Sequence, residues 1–429
     1  MSTPILFRAY RTATAILEPA FFGLLLWRQR KGREDRTRLG ERQGYPSRQR
    51  PKGHVIWVHG ASIGETLSLL PIVERLTQRG LGVLVTSGTR TSASLIARRL
   101  PPGAVHQFMP LDVPRYMRRF LDHWRPDLAL IAESEIWPNT VMALDERRIP
   151  LVLVNGRMSD RSFQRWQKFP GIIRSLLERF ALCLAQSQDD ATRLARLGAP
   201  RVIVTGNLKF DAAPPPADPR IVAHLSGLVA GRPVWLAAST HAGEEGVIVA
   251  VHRALAKRHP HLLTIIAPRH PHRGPEVAAI AEKAGLRAGR RSAGIHPDRA
   301  TDVYVADTVG EMGLFYRLSP IVVMGGSLVA HGGQNPIEPA KLGAAILHGP
   351  HVHNFEDVYA AVDEARGALT VKDSTALARA VSELLSNPAL TRDMARAAGE
   401  AVQALGGAVE RTIQSIEPFI VQAKLGARR

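Results

Sequence analysis

A carboxylate follows a short apolar run near the start of this chain, in a pattern typical of a strand, a tight loop and a helix. The stretch Val55–Glu65 passes from four apolar residues into a loop of small residues and ends in Glu65. Gly60 and Gly64 let the backbone of that loop turn tightly. Loops after parallel strands lie where open α/β sheets bind ligands, so this loop can either cradle a phosphate or present Glu65 to a cleft.

Two further carboxylates and a lysine stand at similar positions. Glu133 and Glu135 follow the apolar run Leu128–Ala132. Carboxylates at the end of a buried strand are costly when unpaired, so we expect one of them to face a polar cleft. For Glu135 a stabilising charge at a helix start is an equal explanation. Lys209 precedes a proline-rich stretch, where a cation can reach either of two flanking domains or simply be solvated.

The second half of the chain holds residues that suit a phosphorylated ligand. An arginine between prolines follows the apolar run 263–266 and can form a forked contact with phosphate. The runs 310–312 and 335–338 each open a helix after glycines, where backbone amides suit phosphate and a carboxylate suits ribose hydroxyls. The candidate binding residues are therefore Pro268, Arg269, Gly310, Glu311, Met312, Asn335, Pro336, Ile337 and Glu338.

Histidines near these runs raise the question of a metal site. His270, His272, His351 and His353 have no cysteine or carboxylate at ligand spacing beside them. We therefore expect no metal ion and no other cofactor.

Elements that would position these residues alternate along the chain. Seven β-type runs lie between 55 and 204 and six between 234 and 371, with helical patterns between most of them. This alternation predicts an α/β protein with two Rossmann-like, doubly wound domains facing across a cleft. The predicted divisions are a membrane anchor at 1–38, an N-terminal domain at 39–208, a linker at 209–219, a C-terminal domain at 220–405 and a final helix at 406–429.

The composition points to anionic partners. The chain has 429 residues, a formal net charge of +18 and a pI of about 10.8. Such a charge favours nucleic acid, an anionic membrane or a phosphorylated substrate. Aromatic residues make up only 6% and are not interleaved with the basic stretches, so we expect no nucleic-acid partner. The single cysteine, Cys183, lies in an apolar run and favours a reducing compartment.

The N-terminal segment differs from the rest of the chain. The apolar run Ala13–Trp27 is shorter than the roughly 20 residues of a spanning helix and is interrupted by Glu18 and Pro19. Six basic residues follow it between 28 and 38. We expect an uncleaved anchor in or on the membrane, with the basic cluster on anionic cytoplasmic lipids. An amphipathic helix packed on the protein itself is the alternative.

Ordered motifs over nearly the whole chain resemble the 3-deoxy-D-manno-octulosonic acid (Kdo) transferases. The motifs are His59–Glu65, ESEIWPN from Glu133, NGRMS at Asn155–Ser159, GNLKFD at Gly206–Asp211, STH at Ser239–His241, PRHP at Pro268–Pro271, GGS at Gly325–Ser327 and NPIE at Asn335–Glu338.

This resemblance implies a GT-B glycosyltransferase of lipopolysaccharide synthesis that needs no metal. Its N-terminal domain would bind a tetraacylated lipid A precursor (lipid IVA), and its C-terminal domain would bind CMP-Kdo. By resemblance Glu65 becomes the general base, while Glu133 and Lys209 support the transition state. The nine binding residues named above become CMP contacts. A single displacement with inversion at the cytoplasmic face of the inner membrane is then expected.

Two alternatives share some of these features. Another GT-B nucleotide-sugar transferase or an epimerase would have the same fold, but would explain the motifs less directly. A non-enzymatic basic protein that binds membranes or nucleic acid would leave Glu65, Glu133 and Glu338 at strand ends unexplained, because carboxylates repel such partners.

Overall fold

Two parallel seven-stranded sheets organise the chain, each in its own compact unit. The computed structural model describes residues 5–426. The first unit comprises Met1–Ala212 and Gly406–Arg429, and the second comprises Ala213–Leu405.

The first unit begins with two helices and continues as alternating strands and helices. Its elements up to residue 204 are α1 (Ile5–Ile16), α2 (Glu18–Arg30), β1 (Val55–Gly60), α3 (Ile63–Gln78), β2 (Gly82–Ser87), α4 (Arg90–Ala97), β3 (Ala104–Phe108), α5 (Pro114–Trp124), β4 (Leu128–Ala132), α6 (Pro138–Glu146), β5 (Leu151–Gly156), α7 (Asp160–Gln167), α8 (Pro170–Leu177), β6 (Leu182–Ala185), α9 (Gln188–Arg196) and β7 (Val202–Val204). A 3₁₀ turn at Leu208–Phe210 follows.

The strands of this unit are apolar on both faces because helices cover both sides of the sheet. Their order is β3-β2-β1-β4-β5-β6-β7, and all neighbours pair in parallel. Val55 and Trp57 of β1 enter one core, and Ile56 and Val58 enter the other. The predicted doubly wound architecture is confirmed for this unit.

The second unit repeats the same architecture with its own sheet. Its elements are α10 (Pro219–Leu228), β8 (Val234–Thr240), α11 (Glu244–Ala256), β9 (Leu263–Pro268), α12 (Gly274–Lys283), β10 (Ala288–Arg290), β11 (Val303–Val305), α13 (Met312–Leu318), β12 (Ile321–Met324), α14 (Ile337–Lys341), β13 (Ala345–His348), α15 (Glu356–Glu364), β14 (Ala368–Thr370), α16 (Ser374–Ser386) and α17 (Pro388–Ala404). The strand order is β10-β11-β9-β8-β12-β13-β14, again parallel. Apolar side chains of α11, α12 and α16 form a core with the sheet.

The N-terminal segment folds as two short helices. α1 and α2 meet at Leu17, and Pro19 lies in the first turn of α2, where a proline lacks no helical hydrogen bond. Phe7 is 4% exposed and belongs to a core of the first unit, and Thr14 accepts a hydrogen bond from Asn139. Among residues 5–426, no helix is both long and apolar enough to cross a membrane.

The basic cluster after α2 is partly used within the protein. Arg28 pairs with the buried carboxylate of Glu34, and Arg38 pairs with that of Glu41. Two of the six basic residues are therefore paired within the protein. The other four are exposed at positions 30, 31, 33 and 36.

The last helix, α18 (Ala408–Gly426), returns to the first unit. Ile413, Ile416 and Ile420 are buried in the core on the α3 side of the first sheet. The sequence predicted this helix but not where it packs.

This packing predicts a stability difference between two positions of α18. Ile416→Ala leaves a cavity in a fully buried site and should lower the free energy of unfolding by about 3 kcal/mol. Val421→Ala, at a side chain that is 46% exposed, should change it little. Thermal unfolding of both variants measures the difference, and equal melting temperatures would contradict the placement of α18.

Candidate active site

The strand order of each sheet reverses at one point, and loops at such switch points bind ligands in doubly wound folds. In the first unit the reversal lies between β1 and β4. Glu65 lies in the first turn of the helix after β1, and Glu133 directly follows β4. In the second unit it lies between β8 and β12, which are followed by His241 and Gly326. Topology thus places motif residues of both units at the favoured edges.

Glu65 lies in the first turn of α3 and is held by its own loop. Its Oε2 accepts a hydrogen bond from the amide of Ala61 at 2.9 Å, and its own amide donates to the hydroxyl of Ser62. This arrangement is a variant of the helix capping box. Within residues 5–426 no hydrogen-bond donor contacts the second carboxylate oxygen.

Glu133 and Lys209 form an ion pair beside this loop. Lys209 Nζ lies 3.1 Å from Glu133 Oε1, and both side chains are partly buried. The pair lies within the first unit, so Lys209 belongs to this edge rather than to a free linker. Glu133 also has a φ of 56°, a left-handed conformation that costs a residue with a side chain about 1–3 kcal/mol.

Glu135 completes a cluster of three carboxylates. Burial raises its pKa, and the charges of Glu65 and Glu133 raise it further, which places all three in one electrostatic neighbourhood. Its Oε2 accepts a hydrogen bond from Trp137 Nε1 at 2.6 Å. The Glu135 carboxylate is thus paired with Trp137 in the neighbourhood of Glu65 and Glu133.

Two buried polar residues support this edge. His59 binds Thr86 through Nδ1, and burial lowers its pKa to about 4, so its imidazole is neutral near pH 7. The side-chain oxygen of Asn155 accepts a hydrogen bond from the amide of Leu208 and thereby fixes the turn that carries Lys209. The sequence contained Asn155 only as part of a motif, since the link to Leu208 spans two strands.

In the second unit, Arg269 lies among histidines at the carboxyl edge. Its amide donates to the carbonyl of Thr240, and its exposed guanidinium has no acceptor in the described part of the chain. The rings of His241 and His331 stack at 4.3 Å, and His270 lies 6.1 Å from His241. Burial and then the charges of His331, His270 and Arg269 lower the pKa of His241. Arg269 is thus an available anion-binding group.

The glycine loop after β12 is not an empty phosphate cradle. Buried Glu244 accepts hydrogen bonds from the amides of Gly326 at 2.7 Å and Leu328 at 3.0 Å. A side chain at Gly325 would also collide with the Ser239 carbonyl. Two amides of this glycine turn therefore bind an internal carboxylate instead of a ligand.

Glu311 is likewise paired within the second unit. Arg291 donates two hydrogen bonds to its carboxylate, at 3.0 and 2.6 Å, and this contact lowers the pKa of Glu311. Gly310, before it, has a φ of 87°. In the run 310–312, the backbone groups and the start of α13 at Met312 are therefore the parts left for a ligand. The Glu311 carboxylate is bound by Arg291.

The run 335–338 leads into α14. The side-chain oxygen of Asn335 accepts a hydrogen bond from the amide of Ile337 at 3.1 Å. Pro336 and Ile337 are buried. Tyr359 donates a hydrogen bond to the carbonyl of Gln334 at 2.7 Å and so fixes the entry to the helix. Glu338 is partly exposed on α14. Pro268 ends β9 directly before Arg269.

The described residues include no group of three or more histidine, cysteine, aspartate or glutamate side chains arranged to hold a metal ion. Cys183 is buried in β6, and burial raises the pKa of its thiol to about 12.

Two parallel-sheet α/β units of this kind resemble the fold of the GT-B glycosyltransferases. A glycosyltransferase from Rickettsia africae is similar in fold, with a TM-score of 0.59 over 86% of this chain and 99% of that one, at 12% identity.

The family model for 3-deoxy-D-manno-octulosonic-acid transferase (kdotransferase) matches residues 37–212. The 3-deoxy-D-manno-octulosonic acid transferase of Haemophilus influenzae is 34% identical over 96% of this chain and 98% of its own length. The probable mitochondrial 3-deoxy-D-manno-octulosonic acid transferase of Arabidopsis thaliana is 36% identical over 94% and 93%. This chain belongs to the Kdo transferase family.

The carboxylate cluster predicts a pH-dependent effect on stability. A carboxyl group with a raised pKa in the folded state binds its proton more tightly there, so its contribution to stability is lost as the pH rises through that pKa. Glu135→Gln, which keeps an acceptor for Trp137 but carries no charge, should be more stable than the natural protein at pH 7. The advantage should shrink towards pH 4.

Thermal unfolding between pH 4 and pH 8 measures this difference. The exposed Glu178→Gln variant is the control and should follow the natural protein at each pH. An advantage of Glu135→Gln that is the same at both ends of this range would rule out the electrostatic explanation.

Proposed function

We propose that this protein is an inverting transferase that moves Kdo from CMP-Kdo to the tetraacylated lipid A precursor, lipid IVA. The observation that carries the proposal is the Glu65 carboxylate at the switch point of the first sheet, beside the Glu133–Lys209 pair. Membership of the Kdo transferase family supports the transferred sugar. The donor and the acceptor follow from the motif resemblance.

Glu65 takes the role of general base in this proposal. One oxygen is fixed by the Ala61 amide, which limits the rotation of the carboxylate and aims the other oxygen outwards. A general base must lie within hydrogen-bond reach of the proton that it removes. Glu65 accepts the proton of the acceptor hydroxyl, and the hydroxyl oxygen bonds to the anomeric carbon of Kdo. CMP leaves from the opposite side of that carbon, so the configuration is inverted.

Glu133 and Lys209 balance charge during this step. The transfer passes through an oxocarbenium-like state, so positive charge develops on the sugar while the leaving phosphate gains negative charge. A fixed carboxylate suits the positive charge on the sugar, and the ammonium group of Lys209, 3.1 Å away, holds that carboxylate in place.

Donor binding is assigned to the carboxyl edge of the second sheet. The exposed guanidinium of Arg269 suits the phosphate of CMP, and Pro268 fixes the backbone before it. The runs 310–312 and 335–338 supply the remaining proposed contacts, through backbone groups and through Asn335 and Glu338.

We further propose that the protein works on the cytoplasmic face of the inner membrane and binds its anionic lipids through α1 and α2. Large apolar side chains are exposed there, namely Ile5, Leu6, Ile16, Leu17, Phe22, Leu24 and Trp27. Exposed basic residues follow at 30, 31, 33 and 36. Apolar side chains flanked by basic ones favour a helix that lies in the membrane interface.

The catalytic proposal predicts the behaviour of Glu65→Gln. The variant keeps an acceptor for the Ala61 amide but cannot take a proton, so transfer should fall at least about 100-fold. CMP affinity, measured by calorimetry, should stay within about twofold, since the proposed CMP contacts lie in the second unit.

Mass spectrometry of products formed from CMP-Kdo and the tetraacylated precursor measures the transfer. Glu74→Gln, an exposed substitution on the same helix, is the matched control and should keep full activity. Substantial turnover by Glu65→Gln would remove Glu65 as the base. Failure of the natural protein to form a Kdo-bearing product would overturn the donor and acceptor assignment.

The membrane proposal predicts that Leu24→Gln combined with Trp27→Gln weakens vesicle binding by at least about tenfold, because two exposed apolar side chains no longer enter the interface. Flotation with vesicles of phosphatidylcholine and phosphatidylglycerol measures binding. The control replaces two exposed apolar residues of α18, Val421→Gln and Leu425→Gln. Equal loss in both double variants would contradict a specific role for α2.

A further inference from the structure

A cleft of about 510 Å³ lies beside the N-terminal helices of the first unit. Its walls come from the end of α1, the start of α2, the segment before β1 and helix α5. Glu65, Glu133 and Lys209 do not line it, so it is separate from the candidate active site.

One wall of this cleft is apolar and exposed. Ile16 is 72% exposed and Phe22 is 41% exposed, and Pro19 lies between them in sequence. The same two side chains belong to the apolar surface proposed to meet the membrane. A ligand in this cleft is therefore expected to have an apolar part.

The other wall carries two guanidinium groups and a carboxylate. Arg119 lies 3.7 Å from the centre of the Tyr45 ring and donates a hydrogen bond to the carbonyl of Gln43. Arg115 has a side chain that is 69% exposed, and it lies 3.6 Å from the carboxylate of Glu18. A ligand with a negative and a positive group matches this set better than a purely anionic one.

A buried tyrosine, Tyr116, also lines this cleft. Tyr116 is only 2% exposed, yet its hydroxyl has no hydrogen-bond partner in the described ranges of the chain. Burial raises the pKa of Tyr116 and the Glu18 carboxylate raises it further, while Arg119 and Arg115 lower it. Tyr116 thus lines the cleft together with Glu18, Arg115 and Arg119, and its hydroxyl is available as a donor to a ligand.

Gly44 allows the chain to pass close to α5 at the charged wall of the cleft. Gly44 adopts a φ of 80°, and a side chain at this position would come within 2.1 Å of the carbonyl oxygen of Tyr116. This close approach brings Tyr45 against Arg119 and closes the cleft on that side.

We propose that this cleft binds the headgroup of one lipid molecule, a phosphodiester that carries a primary ammonium group, as in phosphatidylethanolamine. The phosphodiester contacts Arg115, Arg119 and the Tyr116 hydroxyl, and the ammonium group donates to Glu18. The glycerol and the start of the acyl chains lie along Ile16 and Phe22.

The charges in the cleft favour this headgroup over its relatives. A glycerol headgroup offers no cation to the Glu18 carboxylate, and the trimethylammonium of a choline headgroup has no N–H to donate to it. The proposed role does not depend on the sugar transfer; it is connected with the proposed membrane location only because the lipid comes from the bilayer.

Short-chain lipids below their micelle concentration test the cleft separately from general membrane binding. We expect dihexanoyl-phosphatidylethanolamine to bind the purified full-length protein in calorimetry, and the glycerol and choline analogues to bind at least about tenfold more weakly. Tyr116→Phe and Arg115→Gln should each weaken binding about tenfold. Arg118→Gln, an exposed residue on the same helix with the same change in charge, should leave it unchanged.

Glu18→Gln gives the sharpest result. It should remove the preference for ethanolamine over glycerol, because the ammonium group loses its partner while the phosphate keeps its own. A preference that persists in this variant overturns the ammonium assignment. Equal binding of all three lipids, no binding, or normal binding by Tyr116→Phe and Arg115→Gln overturns the site, and none of these results affects the transfer assay.

Discussion

Backbone amides just beyond the carboxyl ends of parallel strands have no neighbouring strand to which they can donate a hydrogen bond, and burying them unpaired is costly. In both units of this protein carboxylate side chains accept many of these hydrogen bonds. The carboxylates that do so are Glu41, Glu65, Asp112, Asp190, Glu244 and Asp307. An acidic residue after a strand is therefore not by itself a sign of chemistry here. What separates Glu65 from Glu244 is that Glu244 uses both oxygens on loop amides, whereas Glu65 uses one.

The sequence predicted most of the strands because they are buried on both faces and read as continuous apolar runs. The runs at 128–132, 182–185, 202–204 and 321–324 match observed strands in full. Strand β10, with the sequence Ala-Gly-Arg, was missed because its residues have little β propensity and it exists through its pairing with β11.

The candidate site was likewise predictable from the sequence only where it does not depend on long-range partners. Motif order located Glu65, Glu133 and Lys209, and topology then brought their loops to one edge. The sequence could not show that Glu311 pairs with Arg291 or that Glu244 fills the glycine loop, since each contact joins segments many residues apart. Long-range partners decide whether a carboxylate is available, and local patterns contain no information about them.

Glu133 shows how long-range contacts can hold a strained backbone conformation. A left-handed backbone costs glycine little but costs glutamate about 1–3 kcal/mol, so glycine at this position would relieve the strain. The conformation is held by the amide of Glu133 donating to the carbonyl of Val154 and by the ion pair with Lys209. Two contacts of one residue thus offset the cost of its left-handed backbone, and together they fix its carboxylate beside Lys209 at the switch point of the sheet.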